Sequence, residues 1–336
     1  MRGKVKSPRQ RIGIDLLGSD TAPEKFFESV EDFYDECGDT VDFVIFGTPA
    51  MVSRKFSCIA TKEIITMEEN PLVAVRRKKE ASLCVGMRML EKKELDAFVS
   101  AGNTGALIAS AKMRLSMLPG IARPALLALM PTQKKEIAVL DVGANISYKV
   151  EHLLQFASMG IAYQKSRGIL HPTVGLLNIG TEQKKGTPEL QEAYKMLHIL
   201  NRNTDNPPVF LGNIEGRDVF KGDIDVLITD GFTGNVFLKT AEGIASFILD
   251  QLWDKVGSDA PLFLKETLGA LHHRLHHTDF PGAIICGIDG IVVKCHGNAT
   301  PSALISSIKG AIRLTQHHFL DKIKTQLGAT SCKKFF

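Results

Sequence analysis

The sequence predicts an α/β protein built on a mainly parallel sheet. Short apolar runs alternate with helical patterns of ten or more residues, the rhythm of βαβ units. The apolar runs stop at Gly, Asn or Asp, residues that turn a chain out of a strand. Of 336 residues, 44% are hydrophobic and 23% charged, an ordinary globular balance with material for a large core.

The elements follow in order. "RIGIDLLGSDTAP" is an alternating strand leading into a Gly-Ser-Asp turn with Pro23 behind it. "EKFFESVEDFYDE" sets Phe26, Phe27, Val30, Phe33 and Tyr34 at helical spacing. "VDFVIFG" is a second strand. "NPLVAVRRKKEASLCVGMRMLEKKE" reads as one helix, opened by the cap Asn70 and the first-turn residue Pro71. "LDAFVSAGNTG" is a strand into a turn of small residues, followed by a helix through Met117. "PALLALMP" and "EIAVLDVGANIS" are the next apolar runs. "EHLLQFASMGIAYQKSRG" is a helix with its stop at Gly168. The strand "TVGLLNIG", the helix "PELQEAYKMLHILNRN" and the strands "PVFLGNIEGRD" and "DVLITDGFTGN" come next. "VFLKTAEGIASFILDQLW" is a helix, "AIICGIDGIVVKCHG" one or two strands, and "SALISSIKGAIRLTQHHFLDKIKTQL" a closing helix. Residues 12–328 are expected to form a single domain, with a mostly helical excursion at 256–283. Residues 1–11 are expected to be a basic, disordered tail, and 329–336 a second tail.

Several function classes drop out. The net charge of +4 is small, and no basic stripe is interleaved with aromatics, so nucleic acid is not an expected partner. The six cysteines form no C-x-x-C pair, which points to a reduced, cytosolic protein without a disulfide framework or zinc ribbon. The N-terminus lacks the apolar core of a signal peptide. No apolar run approaches the roughly eighteen residues of a membrane span. G-x-G-x-x-G after a strand, G-x-x-x-x-G-K-[ST] and G-x-S-x-G are all missing, so nicotinamide, P-loop and hydrolase-elbow sites lack support. The run His272-His273-Arg274-Leu275-His276-His277 offers i, i+4 pairs, but only Asp279 lies near to complete a set, so no metal and no cofactor are expected.

Six loops directly follow apolar runs: "SAGNTG" (100–105), "DVGANIS" (141–147), "NIGTEQKKG" (178–186), "GNIEGRD" (212–218), "DGFTGN" (230–235) and "CHGNAT" (295–300). Open parallel sheets bind ligands beyond the carboxyl ends of their strands. Glycine lets a backbone approach a ligand, and a helix start presents N–H groups to an anion. An anion cleft is one reading of this set; ordinary βα turn chemistry is the other. The run Arg76, Arg77, Lys78 and Lys79 in the early turns of its expected helix opposes the macrodipole. It reads either as a solvated face or as a patch for an anionic or acidic partner.

Taken together, "SAGNTGAL", "RPALLALMP", "LDVGANIS", "VGLLNIGTEQKKG", "FLGNIEGRDVF", "DGFTGNVFLKTAEG" and "GIVVKCHG", with the upstream "RRKKEASLCVGMRMLEKKELDAF", resemble the bacterial phosphate acyltransferase family, the acyl-carrier-protein:phosphate acyltransferases of phospholipid synthesis. The resemblance runs from about Ile12 to Gly310. It implies a Rossmann-like three-layer α/β/α sandwich and a homodimer. It also implies transfer of a long-chain acyl group from acyl carrier protein to inorganic phosphate, giving acyl phosphate for a membrane glycerol-3-phosphate acyltransferase. The family is cytoplasmic and can sit peripherally on the inner face of the cell membrane, with the 256–283 region near the dimer and membrane contact. The sequence departs from the family's usual loops at Leu17-Gly18-Ser19-Asp20, at 180–186, at 281–287 and at His296-Gly297-Asn298-Ala299. These departures bear on the acyl pocket and on the hydroxyl donors near His296.

Direct attack of phosphate on a thioester needs an aimed, desolvated phosphate and donors where the carbonyl oxygen gains charge. Amides at Gly102, Gly105, Gly231 and Gly234 suit the first task, with Asn103, Thr104, Thr233 and Asn235 as side-chain donors. Lys184, Lys185, Arg217, Lys239 and Lys294 are candidates for charge neutralisation. His296 could protonate the leaving thiolate or stabilise the oxyanion, beside Gly297. Asp141, Asn145 and Asp230 border the same loops; the two aspartates end strands and are equally suited to capping. Lys239 could instead pair with Glu242. An acyl-Cys295 intermediate is disfavoured, because strand neighbours Cys295 and His296 point to opposite faces. Arg76–Lys79 is the candidate docking patch for acyl carrier protein. The alternatives are a phosphotransacetylase-like acyl-CoA:phosphate transferase, a dehydrogenase-like member of a related fold, or a non-catalytic acyl-carrier-protein binding module.

Overall fold

A computed structural model describes residues 9–202, 210–256, 261–276, 282–295 and 300–329. In chain order its elements are β1 (Gln10–Asp15), α1 (Pro23–Cys37), β2 (Val41–Gly47), β3 (Ser57–Ala60), α2 (Pro71–Arg77), α3 (Ser82–Glu91), β4 (Ala97–Ser100) and α4 (Thr104–Arg114). Then come β5 (Ala125–Pro131), β6 (Glu136–Leu140), α5 (Val150–Ser166), β7 (Val174–Leu177), α6 (Pro188–Arg202), β8 (Phe210–Ile214), α7 (Gly216–Val219) and β9 (Val226–Ile228). The chain closes with α8 (Gly231–Val256), α9 (Leu262–His276), β10 (Ala283–Cys286), β11 (Ile291–Lys294), α10 (Pro301–Gln316) and α11 (Phe319–Ala329). It divides into two compact units.

The first unit holds the residues up to Ser116 and Ile288–Leu320. Its strand order is β3-β2-β1-β4-β11, with parallel pairing throughout. Successive side chains of a strand face opposite sides. Phe43 of β2 therefore meets Phe33 and Tyr34 of α1, while Phe46 turns to Phe98 of β4. Gly86 brings α3 against Phe98, where a Cβ would collide with the ring. Helices thus cover both faces, giving three layers. Asp15, Ser100 and Lys294 end β1, β4 and β11 in register.

The second unit holds Met117–Gly287 and the residues from Asp321. Its order is β10-β5-β6-β9-β7-β8. β6, β9, β7 and β8 pair parallel; β5 runs antiparallel to both β6 and β10. Residues 132–135 are too few for a crossover, so β5 and β6 close as a hairpin. α5 is almost entirely buried, and Gly160 lets it approach Val226 and Leu140. Gly168 stops it at φ +96°, as its sequence position predicts.

The α/β class and the mainly parallel sheet agree with the sequence. Several local details differ, among them the expected strand 208–218, which ends at Ile214 and gives way to α7. The helix expected from Asn70 breaks between Arg77 and Ser82, because Lys78 leaves helical backbone (φ −96°, ψ 71°). The Lys78 Nζ reaches the Ile64 carbonyl (2.7 Å) and Glu69 (2.8 Å). The closing helix breaks at His318, at φ 50°. β3 went unread, and β1 begins at Gln10, inside the expected tail. Within the expected excursion, the described Leu262–His276 form α9, which packs on α8. No helix among the described residues is long and apolar enough to cross a membrane.

Candidate active site

In the second unit, Asp141 directly follows β6 and is fully buried. Its Oδ1 accepts from the amides of Leu126 (3.0 Å), Gly143 (3.1 Å) and Ala144 (2.9 Å). Its Oδ2 accepts from N and Nδ2 of Asn145, both at 2.8 Å. Asn145 Nδ2 also donates to the Pro124 carbonyl at 2.8 Å. Burial pushes the Asp141 carboxyl above its ordinary range, and these donors pull the other way. Asp141 and Asn145 shape the 141–145 turn.

Helix α8 starts against that turn. A Cβ on Gly231 would lie 2.5 Å from the Asn145 carbonyl, and one on Gly234 would collide with the Asp141 carbonyl. The Gly231 amide donates to Asn145 O (3.1 Å) and the Gly234 amide to Asp230 O (2.8 Å). Asp230 caps the helix, accepting from the amides of Phe232 (3.0 Å) and Thr233 (2.9 Å) and from the Thr233 hydroxyl (2.7 Å). The glycines serve close packing of helix on turn, and the donors of Gly231, Thr233 and Gly234 are already engaged. Asn235 remains exposed beside Gly143, whose Cβ would lie 3.7 Å from its side chain.

The 178–187 loop is built differently. Asn178, just past β7, and Asn213, in β8, are both buried. Asn178 Nδ2 donates to the Lys185 carbonyl (3.1 Å), and its Oδ1 accepts from the Ile179 amide (2.8 Å). Asn213 Nδ2 donates to the Glu182 carbonyl (2.9 Å). From α6, Gln191 Nε2 donates to the carbonyls of Lys184 (2.9 Å) and Gly186 (3.1 Å). Side-chain amides from three places thus hold the loop by its carbonyls. Lys184 and Lys185 are exposed, and among the described residues neither joins an ion pair. Gly186 turns at φ +84° beside Asn178, where a Cβ would meet Oδ1 at 2.5 Å. Thr187 Oγ1 lies 3.4 Å from the Tyr148 hydroxyl. Burial pushes the Tyr148 phenol up, and Asp230 adds to the shift. At the start of α6, bonds from its own amide and Thr187 hold Glu189 below the usual carboxylate range. That helix end therefore carries its own anion, and the cationic character comes from the loop lysines.

In the first unit the Ser100 hydroxyl donates to Asp15 Oδ2 (2.7 Å) and accepts from the Gly102 amide (3.1 Å). Burial raises Asp15 to about 6 against the pull of Ser82, Ser100, the Leu17 amide and Lys294. Lys294 is buried, its Nζ donating to the Cys295 carbonyl and, at 3.4 Å, to Ala101 O. Asn103 caps α4 through the Ala106 amide (3.0 Å) and donates to the carbonyls of Thr66 (3.0 Å) and Met67 (3.2 Å). Gly105 makes room for Pro71, whose Cγ would be 2.6 Å from a Cβ. Lys294 and the amide of Gly102 therefore bind protein, while Thr104 is half-buried at the helix start. Cys295 is fully buried, a poor position for a nucleophile.

The remaining candidates separate. Arg76 and Arg77 lie in the last turn of α2, where cations favour the dipole, so the expected clash with it is absent. Both are exposed, as is Lys79, while Lys78 pairs with Glu69 at 2.8 Å. Arg217 pairs with Glu215 (3.0 Å) and Lys239 with Glu242 (2.8 Å). His296, Gly297 and the side chains of residues 272–277 lie outside the described residues. Sequence reasoning missed Asp15, Asn178, Gln191 and Asn213. Asp15 had a signal, a carboxylate inside an apolar run. The amides had none, because their partners lie in other elements.

The fold is that of phosphotransacylases. A branched-chain phosphotransacylase from Enterococcus faecalis V583 superposes with a TM-score of 0.60, at 14% identity, over 92% of this chain and 100% of that one. EutD phosphotransacetylase from Staphylococcus aureus gives 0.56 at 15%, over 90% and 94%. Residues 10–322 match the family described as "Fatty acid synthesis protein". The chain is 39% identical over 333 residues to the phosphate acyltransferase of Chlamydia pneumoniae, covering 94% of this chain and 99% of that one. It is 40% identical over 329 residues to that of Chlamydia abortus, with the same coverage. The chain belongs to the phosphate acyltransferase family and is an enzyme of the acyltransferase class.

Proposed function

We propose that this enzyme transfers a long-chain acyl group from acyl carrier protein to inorganic phosphate, releasing acyl phosphate for phospholipid synthesis. The observation that carries this reading is the 178–187 loop, in which two exposed lysines stand on a backbone whose carbonyls are withdrawn into the protein. Lys184 and Lys185 neutralise phosphate there, and Asn235 donates to substrate from the start of α8. Phosphate attacks the thioester carbonyl carbon, the carbon–sulfur bond breaks, and the leaving thiolate takes up the proton that hydrogen phosphate gives up. No covalent acyl-enzyme and no cofactor is needed.

Arg76, Arg77 and Lys79 form the docking patch for the acidic carrier, with the exposed Leu72 and Val73 beside them on α2. α8 exposes Ile244, Phe247, Ile248, Leu252 and Trp253, and α9 Leu262 and Phe263. These apolar faces suit a homodimer and peripheral contact with the inner face of the cell membrane, where a glycerol-3-phosphate acyltransferase would take the product. The enzyme would otherwise reside in the cytoplasm.

The test offers palmitoyl-acyl carrier protein or acetyl-CoA with phosphate, with and without NAD, and traps acyl phosphate as its hydroxamate. Product from the carrier-bound substrate alone, independent of NAD, is expected. Product from acetyl-CoA alone would move the reading to a phosphotransacetylase, and none from either to a binding module.

A further inference from the structure

We infer that Asn213, with Gln191, is a positioning residue that holds the 182–186 backbone so that Lys184 and Lys185 face phosphate. This rests on the reading of that loop as the phosphate site.

Asn213 is 4% exposed, and its Nδ2 holds the Glu182 carbonyl at 2.9 Å while its Oδ1 is buried and, among the described residues, has no hydrogen-bond partner. An unpartnered buried amide oxygen is a cost to the fold. Leucine has nearly the same shape and no polar atom to desolvate, so stability alone does not call for asparagine here. The amide's contribution is directional: it takes hold of one loop carbonyl. Gln191 does the same from α6 with two more, at 2.9 and 3.1 Å. The gripped carbonyls belong to Glu182, Lys184 and Gly186, on both sides of Lys184 and at it. Two effects follow. Carbonyl oxygens, which repel an anion, are engaged by donors. The backbone beneath two flexible lysine side chains is also fixed, so fewer loop conformations are lost when phosphate binds. Asn178 shares the grip but also caps its own loop through Ile179, which makes it a less selective probe.

The experiment uses the full-length protein with Asn213→Leu and Gln191→Glu; the second variant replaces the donor by an acceptor that repels both carbonyls. Calorimetric titration with inorganic phosphate is expected to show Kd raised about tenfold in each. Steady-state kinetics should raise KM for phosphate by a similar factor, with the KM for the acyl donor unchanged. Hydrogen exchange of peptides spanning 178–187 should quicken, while those spanning 136–148 stay as they were. Thermal stability should be equal or higher in Asn213→Leu, the reverse of what a merely structural role gives. Unchanged phosphate affinity in both folded variants would overturn the inference, as would absence of phosphate binding by the unaltered protein. Should the unaltered protein bind phosphate yet form no acyl phosphate, the proposed reaction fails while the altered affinities still support this one.

Discussion

The 100–105 turn and the 178–187 loop look alike on paper. Each follows a parallel strand, carries glycine and asparagine, and leads into a helix. Their polar groups are used in opposite ways. In the first, Asn103 turns its side chain inward, capping α4 and holding the 66–67 carbonyls, and the Gly102 amide closes onto Ser100. In the second, side chains from neighbouring elements reach in and hold the loop's carbonyls, leaving its lysines exposed. A glycine-rich strand end is thus not in itself an anion site; what matters is whether its donors already have acceptors. The start of α8 belongs with the first kind, since Asp230 and Asn145 take its leading donors.

The largest expected effect tests that packing. Gly234→Ala puts a Cβ into a backbone carbonyl that cannot swing aside, and urea unfolding should show a loss of about 3 kcal/mol or more. A loss under about 1 kcal/mol would mean that α8 does not press on the 141–145 turn.

Asp15 comes next. Its carboxyl is raised to about 6 by burial, so the stability it contributes is complete below its ordinary value near 3.8 and is lost as pH climbs through 6. Asp15→Asn does not titrate. Measured by denaturant unfolding, the stability difference should move in the variant's favour by about 1–3 kcal/mol between pH 4 and pH 7. A difference constant with pH would remove the buried ionisation. Asn103→Ala follows: loss of the cap should cost about 1–2 kcal/mol of stability and leave the KM for phosphate unchanged. A raised KM would return that turn to the phosphate site. Lys239→Ala should be smallest, under about 0.5 kcal/mol, because an exposed i, i+3 pair with Glu242 is screened by water. Turnover reduced more than about twofold would instead give Lys239 a direct role.

Much of the fold was legible because it rests on local pattern. The period of "EKFFESVEDFYDE" gave α1, and Gly168 ended α5 where a left-handed residue was needed. The hairpin of β5 and β6 was also readable in principle, since "TQKK" cannot carry a crossover. The break after Arg77 was not, because no glycine or proline marks it; Lys78 is drawn out of the helix by Ile64 and Glu69. The motifs located the strand-end loops but not which of their donors remain available. That depends on partners such as Asn213 and Gln191, which lie in other elements from the loop carbonyls they hold.

The central claim is that phosphate is held by the lysines of the 178–187 loop. The most direct measurement is a phosphate titration of acyl phosphate formation by Lys184→Ala at saturating acyl donor. The account predicts a phosphate KM raised at least about tenfold, equivalent to about 1.4 kcal/mol, with donor KM and melting temperature unchanged. A phosphate KM equal to that of the unaltered enzyme would contradict it.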